Sequence, residues 1–362
     1  MELNSTLEPL ITSPAQIGNF IAHVKEIFAH KPFDPHSVFV SGHAQTLAAY
    51  AWPRRRLLRR HSDAERLFEV ELGSKILAHC RWQAKPSQCP TLVLVHGIEG
   101  SSSSVYMLAM AQKGFRAGFN VVRLNLRNCG GTEHLTPTLY HGGLSQDIAA
   151  VVDQLLEHDK LQKLFVVGFS LGGNLVLKLA GEYAERAPRE VTAFCAVSPS
   201  VNLLASSQMV TRRSNWIYNQ DFVRRLKKRI KLKQQLFPEF YNTSKVPLVR
   251  TIRDFDELFT APAHGFAGAD DYYEKASSIR VVDQIRVPTL IIHAQDDPFI
   301  PFAPLRHPGV SGNPSILFLD PEHGGHVAFI SRKYKGGSIE EDRFWAENRV
   351  VEFCQLAAAA FD

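Results

Sequence analysis

Six residues, Gly168-Phe169-Ser170-Leu171-Gly172-Gly173, constrain the fold of this chain more than any other stretch. They follow directly on the apolar run Leu164-Phe165-Val166-Val167 and lead straight into a helix-forming segment, Leu171 to Tyr183. A strand must therefore turn into a helix with no room for a connecting loop. The flanking glycines keep Cβ atoms out of the crowded turn, and the serine between them is left with its Oγ exposed. A helix starting at Leu171 aims its first amides at whatever reacts there. G-x-S-x-G in an ordinary glycine-rich turn carries little information. At a strand-to-helix junction it marks a nucleophile.

The surrounding pattern agrees with that junction. Leu67–Leu72 and Ile76–Cys80 flank Gly73-Ser74 and read as an antiparallel hairpin. Apolar runs at Thr91–Val95, Val121–Leu126, Leu164–Val167 and Val191–Val197 then alternate with helical stretches at Val105–Arg116, from Ser145 to Leu156, and at Leu171–Tyr183. Ser145 and Asp147 read as residues capping the second of these helices. Continuous apolar strands alternating with helices predict a mostly parallel, doubly wound α/β sheet with both faces covered. The alternation stops from about 200 to 287, too long for a simple connection, which predicts an inserted helical cap. It resumes with Thr289–Ile292 and Ser315–Leu319 and ends in a helix, Phe344–Leu356. Residues 1–60, with an amphipathic stretch through Ile17, Phe20, Ile21, Val24, Ile27 and Phe28, read as an N-terminal arm. Residues 61–362 form the main domain that carries the cap.

A serine hydroxyl needs a base, and the base needs an orienting acid. Acid and histidine follow the nucleophile, in that order, in folds of this kind. Asp296-Asp297-Pro298 lies just past the strand Thr289–Ile292, on the rim where Ser170 must also stand. Asp297 is preferred because Pro301 follows it at the D-x-x-x-P spacing usual for that loop; Asp296 reads as a turn residue. After the last strand comes His323-Gly324-Gly325-His326. The glycine pair lets the loop approach the serine, and His326 is preferred over His323. The His-x-x-His spacing has no third ligand cluster beside it, so no metal or other cofactor is expected. Two amides are needed to hold an oxyanion. Leu171 offers one, and Ile98, in the turn His96-Gly97-Ile98-Glu99-Gly100 after Thr91–Val95, offers the second. Cys129 reads as a small core residue with no basic partner. The aromatics ending the insertion, Phe255, Phe259, Phe266, Tyr272 and Tyr273, read either as a lid over the site, with Phe259 and Phe266 binding an acyl chain, or as ordinary core.

Charge excludes little. The excess of 41 Lys+Arg over 36 Asp+Glu is too small to imply nucleic-acid binding. Two basic stretches, Arg54–Arg60 and Arg224–Lys233, read either as solvated faces or as contacts for an anionic lipid surface. Five cysteines with no C-x-x-C spacing suggest neither disulfides nor zinc. The acidic start Met1-Glu2-Leu3-Asn4 does not resemble a signal peptide, and no apolar run reaches the ~18 residues of a membrane helix, so a cytoplasmic location is expected.

Together, His96–Gly100, Gly168–Gly173, Asp296–Phe299 and His323–His326 resemble the α/β-hydrolases of AB-hydrolase family 4, which holds bacterial esterases and membrane-anchored mammalian lipases. Arg253-Asp254-Phe255-Asp256, Thr260-Ala261-Pro262, Gly265-Phe266, Tyr272-Tyr273 and His43-Ala44-Gln45-Thr46 are less generic and strengthen the likeness, which runs from about residue 40 onward. The resemblance implies that Ser170, Asp297 and His326 act as nucleophile, orienting acid and base on a small acyl ester, through an acyl-enzyme. A lipid-directed lipase or an acyltransferase is the enzymatic alternative. A non-catalytic binding protein that kept the fold is the third reading.

Overall fold

The computed structural model describes residues 13–52, 54, 63–332 and 341–361. The chain's first four residues and Arg55–Arg60 lie outside the described residues. Helix α1 (Pro14–Ala29) opens on a capping box, with Ser13 Oγ accepting from Gln16 N and Gln16 Oε1 accepting from Ser13 N. Helix α2 (Gly42–Ala51) follows, then the hairpin β1 (Ala64–Glu71) and β2 (Ser74–Arg81). The alternating part runs β3 (Thr91–Val95), α3 (Val105–Arg116), β4 (Asn120–Leu124), α4 (Ser145–Asp159), β5 (Leu164–Phe169), α5 (Leu171–Tyr183) and β6 (Val191–Val197). Between β6 and β7 the chain is helical: α6 (Leu203–Val210), α7 (Trp216–Leu236), α8 (Ile252–Phe255), α9 (Ala261–Ala263) and α10 (Ala269–Ala276). Strand β7 (Thr289–Ile292), α11 (Pro308–Ser311), β8 (Ile316–Leu319) and α12 (Trp345–Ala360) complete the chain.

The strands form one eight-stranded sheet in the order β1-β2-β4-β3-β5-β6-β7-β8. Pairings β1–β2 and β2–β4 are antiparallel and the rest are parallel. Side chains alternate across it, as a pleated strand requires. On β5, Leu164 and Val166 face a core shared with α4 and α5, while Phe165, Val167 and Phe169 face a second core shared with α1, α3 and α12. Both faces are covered, which is why these strands read as continuous apolar runs.

Register fixes where the functional rim lies. Val95 pairs with Gly168, Phe169 with Val197, and Val197 with Ile292. The turns after β3, β5, β6 and β7 therefore emerge side by side at one edge. Two local expectations change here. Ser145 and Asp147 do not cap α4, whose first flanking residue is Leu144. Ser145 Oγ instead bonds Glu182, and the Asp147 carboxylate takes Arg127 Nε and Nη2 at 2.7 and 2.6 Å. A buried guanidinium needs that paired carboxylate more than a helix end needs a cap. The basic stretch on α7 is split by its helical period. Arg224, Lys228 and Lys231 are exposed, whereas Arg229 and Lys233 are buried.

Candidate active site

Ser170 sits between β5 and α5 with φ 55° and ψ −119°, a conformation that L-residues avoid. The turn is held by backbone: Ser170 N donates to Val197 O at 2.9 Å and Asn174 N donates to Ser170 O at 3.1 Å. Glycines are needed at its flanks by contact. A Cβ on Gly168 would lie 2.2 Å from Gly172 O, and one on Gly172 would lie 2.5 Å from both Val95 O and His96 O. The elbow is thus pressed against the end of β3, which carries the turn holding Ile98.

Asp297 and His326 meet on the same rim. His326 Nδ1 lies 2.8 Å from Asp297 Oδ2, while Asp297 Oδ1 accepts from Phe299 N at 2.8 Å and Ile300 N at 3.0 Å. The Asp297 side chain is fully buried. Burial would raise its carboxyl; the adjacent His326 and the hydrogen bonds outweigh that and hold it below the ordinary carboxylate value. Their neighbours pair separately. His323 Nδ1 lies 3.2 Å from Asp296 Oδ2, and Gly325 N donates to Asp296 Oδ1 at 3.0 Å. His323 is exposed, whereas Asp296 fastens the glycine pair. The histidine loop is also held from α2, where Thr46 Oγ1 accepts from His326 N at 2.9 Å.

One cavity joins these groups. It offers about 100 Å³ to water-sized groups, and Ser170, His326, Ile98, Leu171, Phe255 and Phe299 all reach its wall. Around Ile98 the neighbouring amides are spoken for: Gly97 N donates to Tyr106 Oη, Glu99 N to Tyr140 Oη, and Gly100 N to Gly97 O, each at 3.0 Å. The amides of Ile98 and Leu171 have no acceptor among the described residues. His96 stiffens the turn from below, its Nδ1 bonding Gly97 O at 2.7 Å while its Nε2 accepts from Leu126 N at 3.1 Å. Burial lowers its pKa to about 4, so the ring is neutral.

Phe259 and Phe266 do not reach the cavity wall. Phe259 packs with Phe255, Val223 and Ile230 in a core within the helical segment. Phe266 packs against His141 and Tyr272, with ring centroids 5.4 Å away in each case. The cause is a π turn over Asp256–Thr260, closed by Ala261 N donating to Asp256 O. It takes an extra residue per turn, so Thr260 rather than Phe259 comes round to the cavity with Asp256. Cys129 is fully buried, and burial pushes its thiol up to about 12.

A family model for the alpha/beta hydrolase fold matches residues 90–333. The chain belongs to the α/β-hydrolase fold family. It is 31% identical over 334 residues to "Putative esterase YheT" of Escherichia coli K12, covering 91% of this chain and 94% of that one. It is 28% identical over 330 residues to the medium-chain fatty acid ethyl ester synthase/esterase 2 of Saccharomyces cerevisiae, covering 83% and 67%. Mouse phospholipase ABHD3 is 30% identical over 242 residues, covering 67% and 58%. Among solved structures, the Pyrococcus furiosus esterase Pf2001 shares the fold with a TM-score of 0.52 at 17% identity, covering 84% of this chain and 95% of that one.

Beside the rim, this α/β-hydrolase carries a buried network that sequence reading missed. Arg229 on α7 clamps Glu99 with Nε to Oε1 at 2.9 Å and Nη2 to Oε2 at 3.1 Å. Tyr140 Oη donates to the same Glu99 Oε1 at 2.9 Å. Glu99, held at φ 53°, follows Ile98 directly, so the clamp pins the turn next to the Ile98 amide. Nothing in the sequence pairs Arg229 with Glu99 across 130 positions. The only signal was a cation on the apolar stripe of α7, between Leu226 and Ile230.

Proposed function

We propose that this hydrolase cleaves carboxylic acyl esters with Ser170 as nucleophile, His326 as general base and acid, and Asp297 as orienting acid. The observation that carries the reading is the 2.8 Å contact of His326 Nδ1 with a buried Asp297, on a wall shared with a serine held in a strained elbow. In the first step His326 Nε2 takes the Ser170 proton as Oγ attacks the ester carbonyl. The amides of Ile98 and Leu171, free of other acceptors, receive the negative charge. The alcohol leaves with the proton from His326, and water then cleaves the acyl-enzyme by the same route. Ser170 Oγ has no hydrogen-bond partner among the described residues. Its contact with the imidazole is made as substrate enters, as in many unliganded sites. The segment of about 200–287 acts as the cap: α6, α7, α8 and the π turn supply the cavity wall opposite the sheet. A fluorophosphonate probe that labels the wild type and spares Ser170→Ala tests the nucleophile. Hydrolysis of p-nitrophenyl esters of increasing chain length tests the substrate class. Labelling that persists in Ser170→Ala would move the reaction to another residue.

A lipid surface as substrate source is a second reading, favoured by one group of side chains. Trp216 and Ile217 at the start of α7 and Tyr50 on α2 are 62%, 73% and 80% exposed. Arg212, Arg213 and Arg224 are exposed beside them in the chain, and His43 of α2 stacks on Tyr218 at 5.9 Å. Exposed apolar side chains with arginines near them in the chain suit an anionic bilayer. No helix among the described residues is long and apolar enough to cross one. Sedimentation with anionic vesicles, weakened by Trp216→Ser, is the expected result; equal recovery with neutral vesicles counts against it.

A further inference from the structure

The acyl-transfer reading leaves Asp256 unused. Among the described residues lining the cavity it is the one acid, and it stands in a wall built largely of Leu, Ile, Val, Phe and Tyr. It is 8% exposed. Tyr273 Oη lies 2.7 Å from Asp256 Oδ2 and 3.3 Å from Ser207 Oγ. One phenolic proton cannot serve both, so Tyr273 donates to the carboxyl and accepts from Ser207. Thr260 also bonds the carboxyl, from the far end of the same π turn. No cation pairs with it among the described residues. Arg253, three residues before it, is half-buried and committed to Asp270, with Nη2 2.8 Å from Oδ2, and its charge only partly offsets the burial of Asp256.

A carboxyl buried without a paired cation is disfavoured by desolvation, as any unpaired buried charge is. A π turn is a further local cost, and such turns gather at functional sites. Both costs fall on a side chain facing the cavity that holds Ser170 and His326. Tyr273 and Thr260 bond the carboxyl, Ser207 bonds Tyr273, and a carboxylate has acceptor sites beyond the two so filled. Burial raises its pKa to about 6, so both protonation states are populated near neutrality. An alcohol suits either state, donating to the anion or accepting from the acid. A cationic ligand suits only the anion, and would share the cavity with Arg229.

Resting on the hydrolase reading, we propose that Asp256, Thr260, Ser207 and Tyr273 form a subsite for a free hydroxyl group on the substrate. The enzyme then prefers hydroxylated esters to plain alkyl esters of equal length.

Two matched pairs test this: glycerol monooctanoate against propyl octanoate, and p-nitrophenyl 8-hydroxyoctanoate against p-nitrophenyl octanoate. In the wild type, kcat/KM favours the hydroxylated member of one pair by about 10-fold or more, as hydrogen-bonded discrimination allows. Asp256→Leu brings that ratio to near one, and Asp256→Asn, which keeps hydrogen-bonding groups at the position, leaves an intermediate ratio. A ratio compares two substrates on the same folded enzyme, so partial misfolding does not move it. Wild-type ratios near one in both pairs overturn the proposal, as does a ratio unchanged in Asp256→Leu. A preference for octanoylcholine, lost in Asp256→Leu, overturns it in favour of a cation site. Calorimetry on Ser170→Ala separates this from failure of the hydrolase reading, because it needs no turnover. 1-O-octylglycerol binding about 10-fold tighter than octyl propyl ether, with the difference lost when Asp256→Leu is added, supports the subsite even if no ester is cleaved. Equal binding of the two ethers overturns it.

Discussion

Ser170, Asp297 and His326 stand where strand ends leave them, whereas Arg229, Asp256 and Phe255 reach the same cavity from helices between β6 and β7. The rim is positioned by backbone. Parallel register sets the turns side by side, and amide hydrogen bonds fix both the elbow and Asp297. The helical wall is positioned by side chains: Arg229 on Glu99, Tyr273 on Asp256, and Tyr272 Oη accepting from Gly142 N at 2.8 Å. Reacting atoms need placement within a fraction of an ångström, which a sheet supplies. A wall held by side chains can be rebuilt one residue at a time.

Five outcomes would break or sharpen that contrast. The largest is expected at the elbow. Ser170→Ala lowers ester hydrolysis by about three orders of magnitude or more with an unchanged far-UV spectrum, because triad members act as a unit. Near-normal turnover would end the assignment. Next come the paired candidates. Asp297→Asn and His326→Ala nearly abolish activity, while Asp296→Asn and His323→Ala cost about 10-fold or less, since they alter only the glycine loop and an exposed ring. Steady-state kinetics on all four variants decides, and the reverse order would transfer the roles.

The third outcome concerns the join between the two regions. Arg229→Ala leaves Glu99 buried and unpaired, for a loss of about 3–5 kcal/mol in urea denaturation. Arg229→Met combined with Glu99→Gln regains much of that stability. If it also regains kcat, the clamp holds structure only; if kcat stays low, it positions the Ile98 turn.

A pH effect comes fourth. Burial holds Asp256 at about 6, above the ordinary ~3.9. Between those values the folded chain binds more protons than the unfolded one, so the contribution of Asp256 to stability falls as pH rises through that window. Asp256→Asn therefore gains about 1–3 kcal/mol on the wild type between pH 4 and pH 7. A difference that is the same at both pH values would place its titration elsewhere. The smallest effect separates two neighbouring rings. Phe255→Ala shifts the preferred acyl chain length by about one or two carbons, through lost burial of roughly 0.8 kcal/mol per CH₂. Phe259→Ala lowers stability and leaves the preference in place; a shift in both variants would bring Phe259 back to the cavity.

Much of the rim was legible because its signals are local. Glycines at 168 and 172 report close backbone contact, and a β-run followed at once by a helix leaves the serine nowhere else to go. The loops expected to carry an acid and a histidine were read from their place after strands, and the structure brings Asp297 and His326 together. Asp147 was misread because its partner, Arg127, lies 20 positions away and outcompetes a helix cap.

By itself, the sequence determined the sheet, the elbow and the order of chemistry-bearing loops, since strand alternation and turn glycines are properties of neighbouring residues. Only the tertiary structure decided which aromatics face the cavity, what neutralises Arg229 and where a buried carboxyl waits. A π turn shifts the helical face by one residue, and a buried charge takes its partner from whichever distant element packs against it. Neither effect leaves a period in the sequence.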